Sequence, residues 1–460
     1  MNQEIESKKI ITRFPPSPTG KLQLGNARTA LFNYLFAKKN GGSFLFRLED
    51  TDKERSKKEY ETDVIESLAW LGLRHDNREI QKQSERVEIY KAQLKRLVDQ
   101  GLAYISKETE LSQEPASGFQ SPKKKDGERR EEVIRFKNPN KVITFTDLIR
   151  GEITFDTTEL GDFVIAKSMD EPIYHLAVVI DDAEMDITHV IRGEDGISNT
   201  PRQILIQEAL GFPRPLYAHL PLILAPDRTK LSKRHGAIPV SEYRAQGYIP
   251  EAVLNYLALL GWNPGTEQEL FSLEELSRLF DLGKVQKGGA VFDEEKMRSV
   301  NKEYLKKAGA ASVIPHIPSE LTAGRSVSQV QALAGMLLER ISVYGDIKTE
   351  LTAGEYEYLL NDPIYAKEML KWKKAKSEPK EHLENVCSLV EKISPDTFTV
   401  SDIKEAVFPY AEAKGKGDVL WPTRVALSGK EQSPDPFTLS ALLGKEATVK
   451  RLRTAINMLE

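Results

Sequence analysis

Residues 10–50 read IITRFPPSPTGKLQLGNARTALFNYLFAKKNGGSFLFRLED, and their pattern sets the fold class. Ile10 to Phe14 is an apolar run suited to a strand buried on both faces, and PPSPTG (15–20) is turn chemistry. From Asn26 to Lys39 apolar residues recur at helical spacing (Ala27, Ala30, Leu31, Tyr34, Leu35), and SFLFRLED (43–50) then returns as a strand. Two parallel strands joined by one helix form the right-handed unit of a doubly wound α/β sheet, whose ligands sit beyond the C-terminal strand ends. A site is therefore expected to include residues 13–28.

Working outward, AVVIDD (177–182) and ITHVIRGED (187–195) read as two more buried strands. SNTPRQILIQEALG (198–211) reads as a helix, with Ser198 or Asn199 as cap, Pro201 in the first turn and Gly211 as stop. The stretch between the two α/β passages has a different texture, with a helical QSERVEIYKAQLKRLVDQG (83–101) and a polar loop from 112 to 132, and reads as an insertion into the sheet domain. After residue 300 the chain is rich in Leu, Ala, Lys and Glu. SVSQVQALAGMLLERI, PKEHLENVCSLVEKI and KEATVKRLRTAINMLE all have helical period, so the C-terminal third is expected to be all-helical.

The 460 residues span about three domain lengths of roughly 150. Hydrophobic residues at 40% and charged residues at 29% exclude wholesale disorder and fibrous classes. No segment approaches the ~18 apolar residues of a membrane helix, and MNQEIESKKIITRF lacks a signal-peptide core. A soluble, cytoplasmic protein without a membrane partner is expected. The one cysteine, Cys387, excludes an intrachain disulfide and a thiolate zinc site; a buried, inert thiol is expected. The formal charge of −4, from 65 Lys+Arg and 69 Asp+Glu, does not suggest a nucleic-acid partner. Lysines nevertheless cluster in PKKKDGERR (122–130) and KEMLKWKKAKSEPK (367–380), although each run taken alone reads as a solvated face.

No Walker A loop is present, and no G-x-G-x-x-G opens a helix after a strand. RFPPSPTGKLQLGNART (13–29) offers another anion site: Gly20 and Gly25 permit close backbone approach, the helix start near Asn26 directs amides and a positive dipole end there, and Arg28 adds charge. Read alone, the segment is equally a plain strand-to-helix turn. LAPDRTKLSKRHG (224–236) places Lys230, Lys233 and Arg234 within five residues, enough to stabilise charge on a polyphosphate; by itself it reads as a basic loop.

Together and in this order, LQLG and KLSKR resemble the paired signatures of class I aminoacyl-tRNA synthetases. SPTGKLQLGNARTALFNYLFAKKNGG, FRLEDTD (46–52), VVIDDAEMDITHVIRGEDGISNTPRQ (178–203) and RVALSG (424–429) are similar to bacterial glutamyl-tRNA synthetases. The resemblance implies an α/β Rossmann-type catalytic domain (1–75 and 174–225) split by an α/β acceptor-stem-binding insertion (76–173). A stem-contact region carrying KLSKR (226–318) and an all-α anticodon-binding region (319–460) would follow. It implies ATP-dependent formation of glutamyl-adenylate and transfer of the glutamyl group to tRNA(Glu) by a monomer, with tRNA(Gln) open as a second acceptor. By family match, Arg13, Ser17, Glu49, Tyr174 and Arg192 hold glutamate; Gly25, Lys230 and Lys233 hold ATP, with Lys233, Lys230 and Gln23 in the catalytic signatures. Residue chemistry agrees: an arginine can form a bidentate carboxylate pair, and Glu49 suits the substrate ammonium. Three carboxylates in RLEDTD, at the end of an apolar strand, suit a ligand cation. His175, beside Tyr174, either lines the pocket or packs in the core. Mg2+ is expected to ride on the nucleotide's phosphates with most waters retained.

Two departures stand out. Gln23 replaces the histidine of the first signature, exchanging a donor that can carry charge for a neutral amide. AYISKETELS (103–112), which corresponds to a cysteine-rich stretch in many relatives, has no cysteine, so no zinc is expected. A glutaminyl enzyme and the short glutamyl-queuosine enzyme fit less well, the first for its β-barrel C-terminal end and the second for lacking a C-terminal region. A catalytically silent tRNA-binding paralogue is disfavoured by the presence of Lys230, Lys233, Arg192 and Glu49.

Overall fold

The computed structural model describes residues 9–107, 132–232, 234, 238–352 and 356–460. Most of the 112–132 loop, the PKKKDGERR run, Lys233 and the end of AYISKETELS lie outside the described residues. The chain divides into two compact units, one of residues 1–244 and 250–297, the other of 245–249 and 298–460.

The first unit is built on the predicted strand–helix–strand. Strand β1 (Ile11–Phe14) pairs in parallel with β2 (Ser43–Leu48) through helix α1 (Leu24–Lys39), and β2 pairs in parallel with the short β3 (Gln81–Lys82). On the other side of β1, the Thr188 amide donates to the Ile11 carbonyl at 3.0 Å, and Ile11 N donates to Thr188 Oγ1 at 2.8 Å. That brings β10 (His189–Gly193) alongside β1, and β10 pairs in parallel with β11 (Leu216–Leu220). From β1 the chain runs outward to β2 and β3 and later returns to lay β10 and β11 on the other side of β1, so the strand order switches at β1, where an open α/β sheet leaves a crevice. Asn33 of α1 fixes the level of both strands: its carbonyl accepts from Thr12 Oγ1 at 2.9 Å, and its Nδ2 donates to the Ile191 carbonyl at 2.9 Å.

The insertion carries helix α2 (Lys58–Trp70) before it, α3 (Val87–Asp99) at its start, and then a four-stranded antiparallel sheet in the order β4–β5–β8–β9. These strands are Ala103–Lys107, Glu132–Phe136, Phe163–Ser168 and Glu171–Pro172; a hairpin of β6 (Val142–Asp147) and β7 (Gly151–Asp156) sits between them in sequence. Tyr90, Leu94 and Leu97 of α3 join Ile134, Phe136 and Ile165 of this sheet in one apolar core with the helices that follow.

AVVIDD is not a strand. Residues Tyr174–Glu184 form helix α4, with Leu176 to Asp182 all buried, and only His189–Gly193 of the next segment is extended, followed by a 3-10 turn at Glu194–Asn199. A short apolar run buried on every side carries no periodicity to separate helix from strand, and burial of the whole turn removed the polar face that would have marked the helix. Helix α5 (Thr200–Leu210) starts and stops where its sequence suggests, with Pro201 near the start and Gly211 left-handed at φ 69°, but Asn199 at the N-cap position makes no side-chain cap bond.

The second unit is helical over its described length. Helices Val327–Arg340, Pro379–Glu391, Val400–Lys414, Lys416–Ser428, Pro436–Leu443 and Lys445–Met458 pack around Leu337, Leu383, Val386, Val419, Leu439 and Leu452. Capping boxes at Ser326/Gln329 and Thr399/Asp402 start two of them. Cys387 is buried in this core.

Candidate active site

The loop after β1 is pinned at three points: Glu49 N donates to the Pro16 carbonyl (3.0 Å), Lys57 N to the Pro18 carbonyl (3.1 Å), and Leu22 N to Asp63 Oδ2 (2.9 Å). Ser17 is exposed on this loop. Gln23 is the extended N-cap of α1 and makes no side-chain cap; its Nε2 turns back to the Lys21 carbonyl at 3.0 Å. Among the described residues no side chain caps the first-turn amides of α1 at the positive end of the helix. Gly25 stands in that turn with open space where a Cβ would project, as does Gly20.

Arg28 does not join that site. Its guanidinium is buried and donates to the carbonyls of Pro221 and Leu260 (3.1 Å to the latter), and burial lowers its pKa to about 10 against the pull of Glu194. It points into the core because it lies one helical turn inside, on the same buried face as Leu24, Leu31 and Phe32.

Beneath the loop lies a buried ionic cluster. Asp182 of α4 accepts from Arg47 Nη1 at 2.5 Å and from Arg13 Nε at 3.3 Å; Arg47 Nη2 donates to Glu49 Oε1 at 3.1 Å. Asp181 accepts from Gln83 (2.8 Å), Arg86 (2.8 Å) and Tyr90 (2.9 Å) and lies 3.7 Å from Arg47 Nε. Burial would raise the Asp182 pKa, but Arg13 and Arg47 outweigh it and hold the carboxyl below its usual range. Burial holds Glu49 above that range despite Arg47. A cation docking on Glu49 would favour its charged form. Arg13 Nη1 is buried and has no hydrogen-bond partner among the described residues. The other carboxylates of RLEDTD are engaged away from this cluster, Asp50 by Ser84 (2.8 Å from the amide) and Asp52 by Arg55 (2.6 Å). Only Glu49 of the three faces this cluster.

Arg192, on β10, is held by four uncharged partners. Its Nε donates to His219 Nε2 (3.1 Å), Nη1 to Gln203 Oε1 (2.9 Å), and Nη2 to Thr200 Oγ1 (2.7 Å) and the Gly196 carbonyl (3.0 Å). Burial holds His219 below the usual histidine pKa. Tyr174 begins α4, half-buried, with its ring 5.3 Å from that of His175. His175 is itself a packed core histidine, its pKa lowered by burial to about 3.

Lys230 leaves the tight turn Ala225–Thr229, where Arg228 adopts φ 64°, and is exposed with Nζ 2.9 Å from Asp195 Oδ2. Arg234 is exposed. The structure thus gathers Arg13 and Glu49 in one cluster, sets Gln23, Gly25 and Ser17 along the pinned loop, and pairs Lys230 with the turn that follows β10.

Sequence reasoning did not single out Arg47, Asp181, Asp182, His219 or Asp147. Arg47 and the aspartate pair lie inside the quoted FRLEDTD and VVIDDAEMD stretches, but reading the second as a strand hid their convergence. His219 is marked by no local motif; its partners are an arginine and an aspartate.

Two family models cover the chain: "tRNA synthetases class I (E and Q), catalytic domain" over residues 9–117 and 111–299, and "Anticodon binding domain" over 290–456. The glutamate–tRNA ligase of Aquifex aeolicus is 42% identical over 98% of this chain and 99% of its own. That of Carboxydothermus hydrogenoformans is 40% identical over 97% of this chain and all of its own. The crystal structure of a glutamate tRNA ligase from Elizabethkingia meningosepticum, in complex with its amino acid, superposes with a TM-score of 0.83 at 33% identity, covering 98% of this chain and 100% of that one. Agreement of sequence and structure over nearly the whole length shows that this chain belongs to the glutamate–tRNA ligase family of class I aminoacyl-tRNA synthetases.

Proposed function

We propose that this protein joins L-glutamate to tRNA(Glu) in two steps. A glutamate carboxylate oxygen bonds to the α-phosphorus of ATP as the bond to the β-phosphate oxygen breaks, giving glutamyl-adenylate and pyrophosphate. The terminal ribose hydroxyl of the tRNA then attacks the acyl carbon, loses its proton, and AMP departs.

The observation that carries this reading is the set of groups around Arg192. Arg13, Arg47 and Arg86 each touch a carboxylate, whereas the partners of Arg192 among the described residues, His219, Gln203, Thr200 and the Gly196 carbonyl, are uncharged. A substrate carboxylate can take the place beside that guanidinium, and an amino acid with a carboxylate on its side chain offers a second one to Arg13. Arg192 and the free Nη1 of Arg13 take the carboxylates, Glu49 takes the ammonium, and Ser17 and Tyr174 complete the pocket.

ATP rests its phosphates on the first turn of α1 at Gly25, with Gln23 donating beside them and Lys230 and Lys233 stabilising the charge that develops on the leaving pyrophosphate. Nothing described crowds the position where a Cβ on Gly25 would project, which supports close approach of a ligand to that turn. Mg2+ would be held mainly by those phosphates and would neutralise them further. Residues 76–173 are assigned to the acceptor stem, 226–318 to stem contact, and 319–460 to the anticodon. In the last of these, Lys371, Lys373, Lys374 and Lys376 are exposed around Trp372, whose ring packs on Gly417. Among the described residues no helix is long and apolar enough to cross a membrane.

The test is glutamate-dependent ATP–pyrophosphate exchange with and without tRNA, followed by charging of purified tRNA species. Exchange with glutamate that requires tRNA, and charging of tRNA(Glu), is the expected outcome. The same assay decides tRNA(Gln). Absence of glutamate exchange with every tRNA would sink the proposal.

A further inference from the structure

Three strands place Asp147, His219 and Arg192 in a line. Asp147 ends β6, His219 lies on β11, and Arg192 lies on the adjacent β10. Asp147 Oδ2 accepts from the His219 ring Nδ1 at 2.6 Å and from the His219 amide at 3.0 Å. Its Oδ1 accepts from the amides of Ile149 (3.0 Å) and Arg150 (2.9 Å). The carboxylate is saturated with donors, so Nδ1 must carry its proton and Nε2 must present a lone pair. That lone pair meets Arg192 Nε at 3.1 Å. Asp147 and His219 are 1% and 0% exposed, so water does not compete for these bonds. Tyr217 stacks on the imidazole with its ring 6.2 Å away and nearly coplanar at 8°, fixing the ring plane.

A protonated imidazole would put an N–H against the Arg192 N–H, donor against donor and charge against charge. The wrong neutral tautomer would do the same while leaving Asp147 facing a lone pair. Of the five guanidinium N–H groups of Arg192, the bonds to His219, Gln203, Thr200 and Gly196 engage four, leaving one on Nη1 without a partner among the described residues. An arginine so held cannot turn to meet its ligand, and the ligand must come to it in one orientation.

We propose that His219, locked by Asp147 as the Nδ1–H tautomer, is a positioning residue that aims Arg192 at a carboxylate of the amino-acid substrate. The inference rests on the reading of Arg192 as a glutamate-binding residue. It assigns to Asp147 and His219 a role in substrate affinity without contact with the substrate, and explains why a buried histidine stands where an apolar residue would pack.

The experiment measures KM for glutamate and for ATP, with tRNA present, in the wild type, Arg192→Ala, His219→Phe and His219→Gln. His219→Phe keeps ring volume and stacking but removes the acceptor; His219→Gln returns an amide acceptor. The expected result is a rise in glutamate KM of about tenfold or more in His219→Phe, the scale of one hydrogen bond to a charged group. ATP KM should stay within about twofold, and His219→Gln should recover part of the loss. Glutamate KM unchanged in a folded His219→Phe, while Arg192→Ala raises it, overturns the positioning role alone. No change in Arg192→Ala overturns the underlying reading of Arg192. Because His219→Phe leaves Asp147 buried and short of a donor and can unfold the protein, 15N-histidine NMR of the wild type gives a second test. A ring protonated at Nδ1 only is expected, and a doubly protonated or Nε2–H ring at neutral pH overturns the proposal.

Discussion

Arg47 holds Asp182 at 2.5 Å, joining the second strand of the sheet to a helix that begins well over a hundred residues later. Both side chains are nearly inaccessible, so the pair closes the floor of the site from opposite sides of the insertion. Breaking a buried pair by removing one partner leaves the other charge uncompensated, which typically costs about 3–5 kcal/mol. Asp182→Asn should therefore lower the urea midpoint by an amount equivalent to roughly 3 kcal/mol and raise the glutamate KM, because Arg13 shares that carboxylate. Unchanged stability would mean that Arg13 and Arg47 find another anion and that Asp182 is not the link between them.

The contrast is the Lys230–Asp195 pair, in which both side chains are about three-fifths exposed. Exposed pairs contribute roughly 0–1 kcal/mol, so Asp195→Ala should leave stability within about 0.5 kcal/mol of the wild type. Lys230→Ala and Lys233→Ala should instead act on the chemical step, lowering turnover in pyrophosphate exchange far more than tRNA affinity. A loss confined to tRNA affinity would move these lysines from the nucleotide to the RNA.

Gln23 donates to the Lys21 carbonyl and leaves the helix start uncapped. Replacing it by histidine would restore a donor able to carry charge beside the phosphates, and charge-assisted bonds are about twice as strong as neutral ones. Gln23→His should accordingly be tolerated or raise the rate of adenylate formation. A large loss in exchange would show that the amide itself is required.

The strand–helix–strand unit was legible because α1 carries helical spacing and the apolar runs of β1 and β2 are bounded by turns rich in proline and glycine. α4 was not, because Leu176 to Asp182 is apolar or buried on every side, and only packing decides between helix and strand there. The misreading had a cost at the site. On a strand Asp181 and Asp182 would face opposite ways; on a helix they diverge by about 100°, so both reach the Arg47 guanidinium. Arg28 was misplaced for the reverse reason, since a charged residue at a helix start suggests a ligand, and its burial against two backbone carbonyls appears only in three dimensions. His219 is legible in no local pattern, its partners lying 72 and 27 residues away.

Burial lowers the pKa of His175 to about 3, with Arg202 and Arg192 adding to the effect, and that of His189 to about 4. In the unfolded chain both titrate near 6.5. As pH falls below that value the unfolded state binds protons that the folded state refuses, so stability falls with falling pH, by up to about 1.4 kcal/mol per pH unit for each histidine. The loss should run from about pH 6.5 down toward the folded-state values. Urea titrations at pH 7, 6 and 5 should show it, and His189→Gln should remove about one proton's share of the slope between pH 6 and 5. An identical slope in that variant would place the acid sensitivity elsewhere.

The formal charge of −4 on the chain does not describe its local surfaces. In the helical unit Lys367, Lys371, Lys373, Lys374 and Lys376 are all exposed within ten residues, and Lys371 alone among them has a salt bridge among the described pairs, to Glu378 at 2.7 Å. An RNA backbone laid on such a surface releases condensed counterions, so log K should fall linearly with log salt, with a slope of about −0.7 to −0.9 for each phosphate neutralised. Affinity for tRNA should therefore weaken with added salt despite the acidic average. Replacing Lys373 and Lys374 together by glutamine should make that slope shallower by about one to two, while leaving pyrophosphate exchange at saturating tRNA close to the wild type. A tRNA affinity independent of salt would show that these lysines are solvated charge and that the RNA is held by other means.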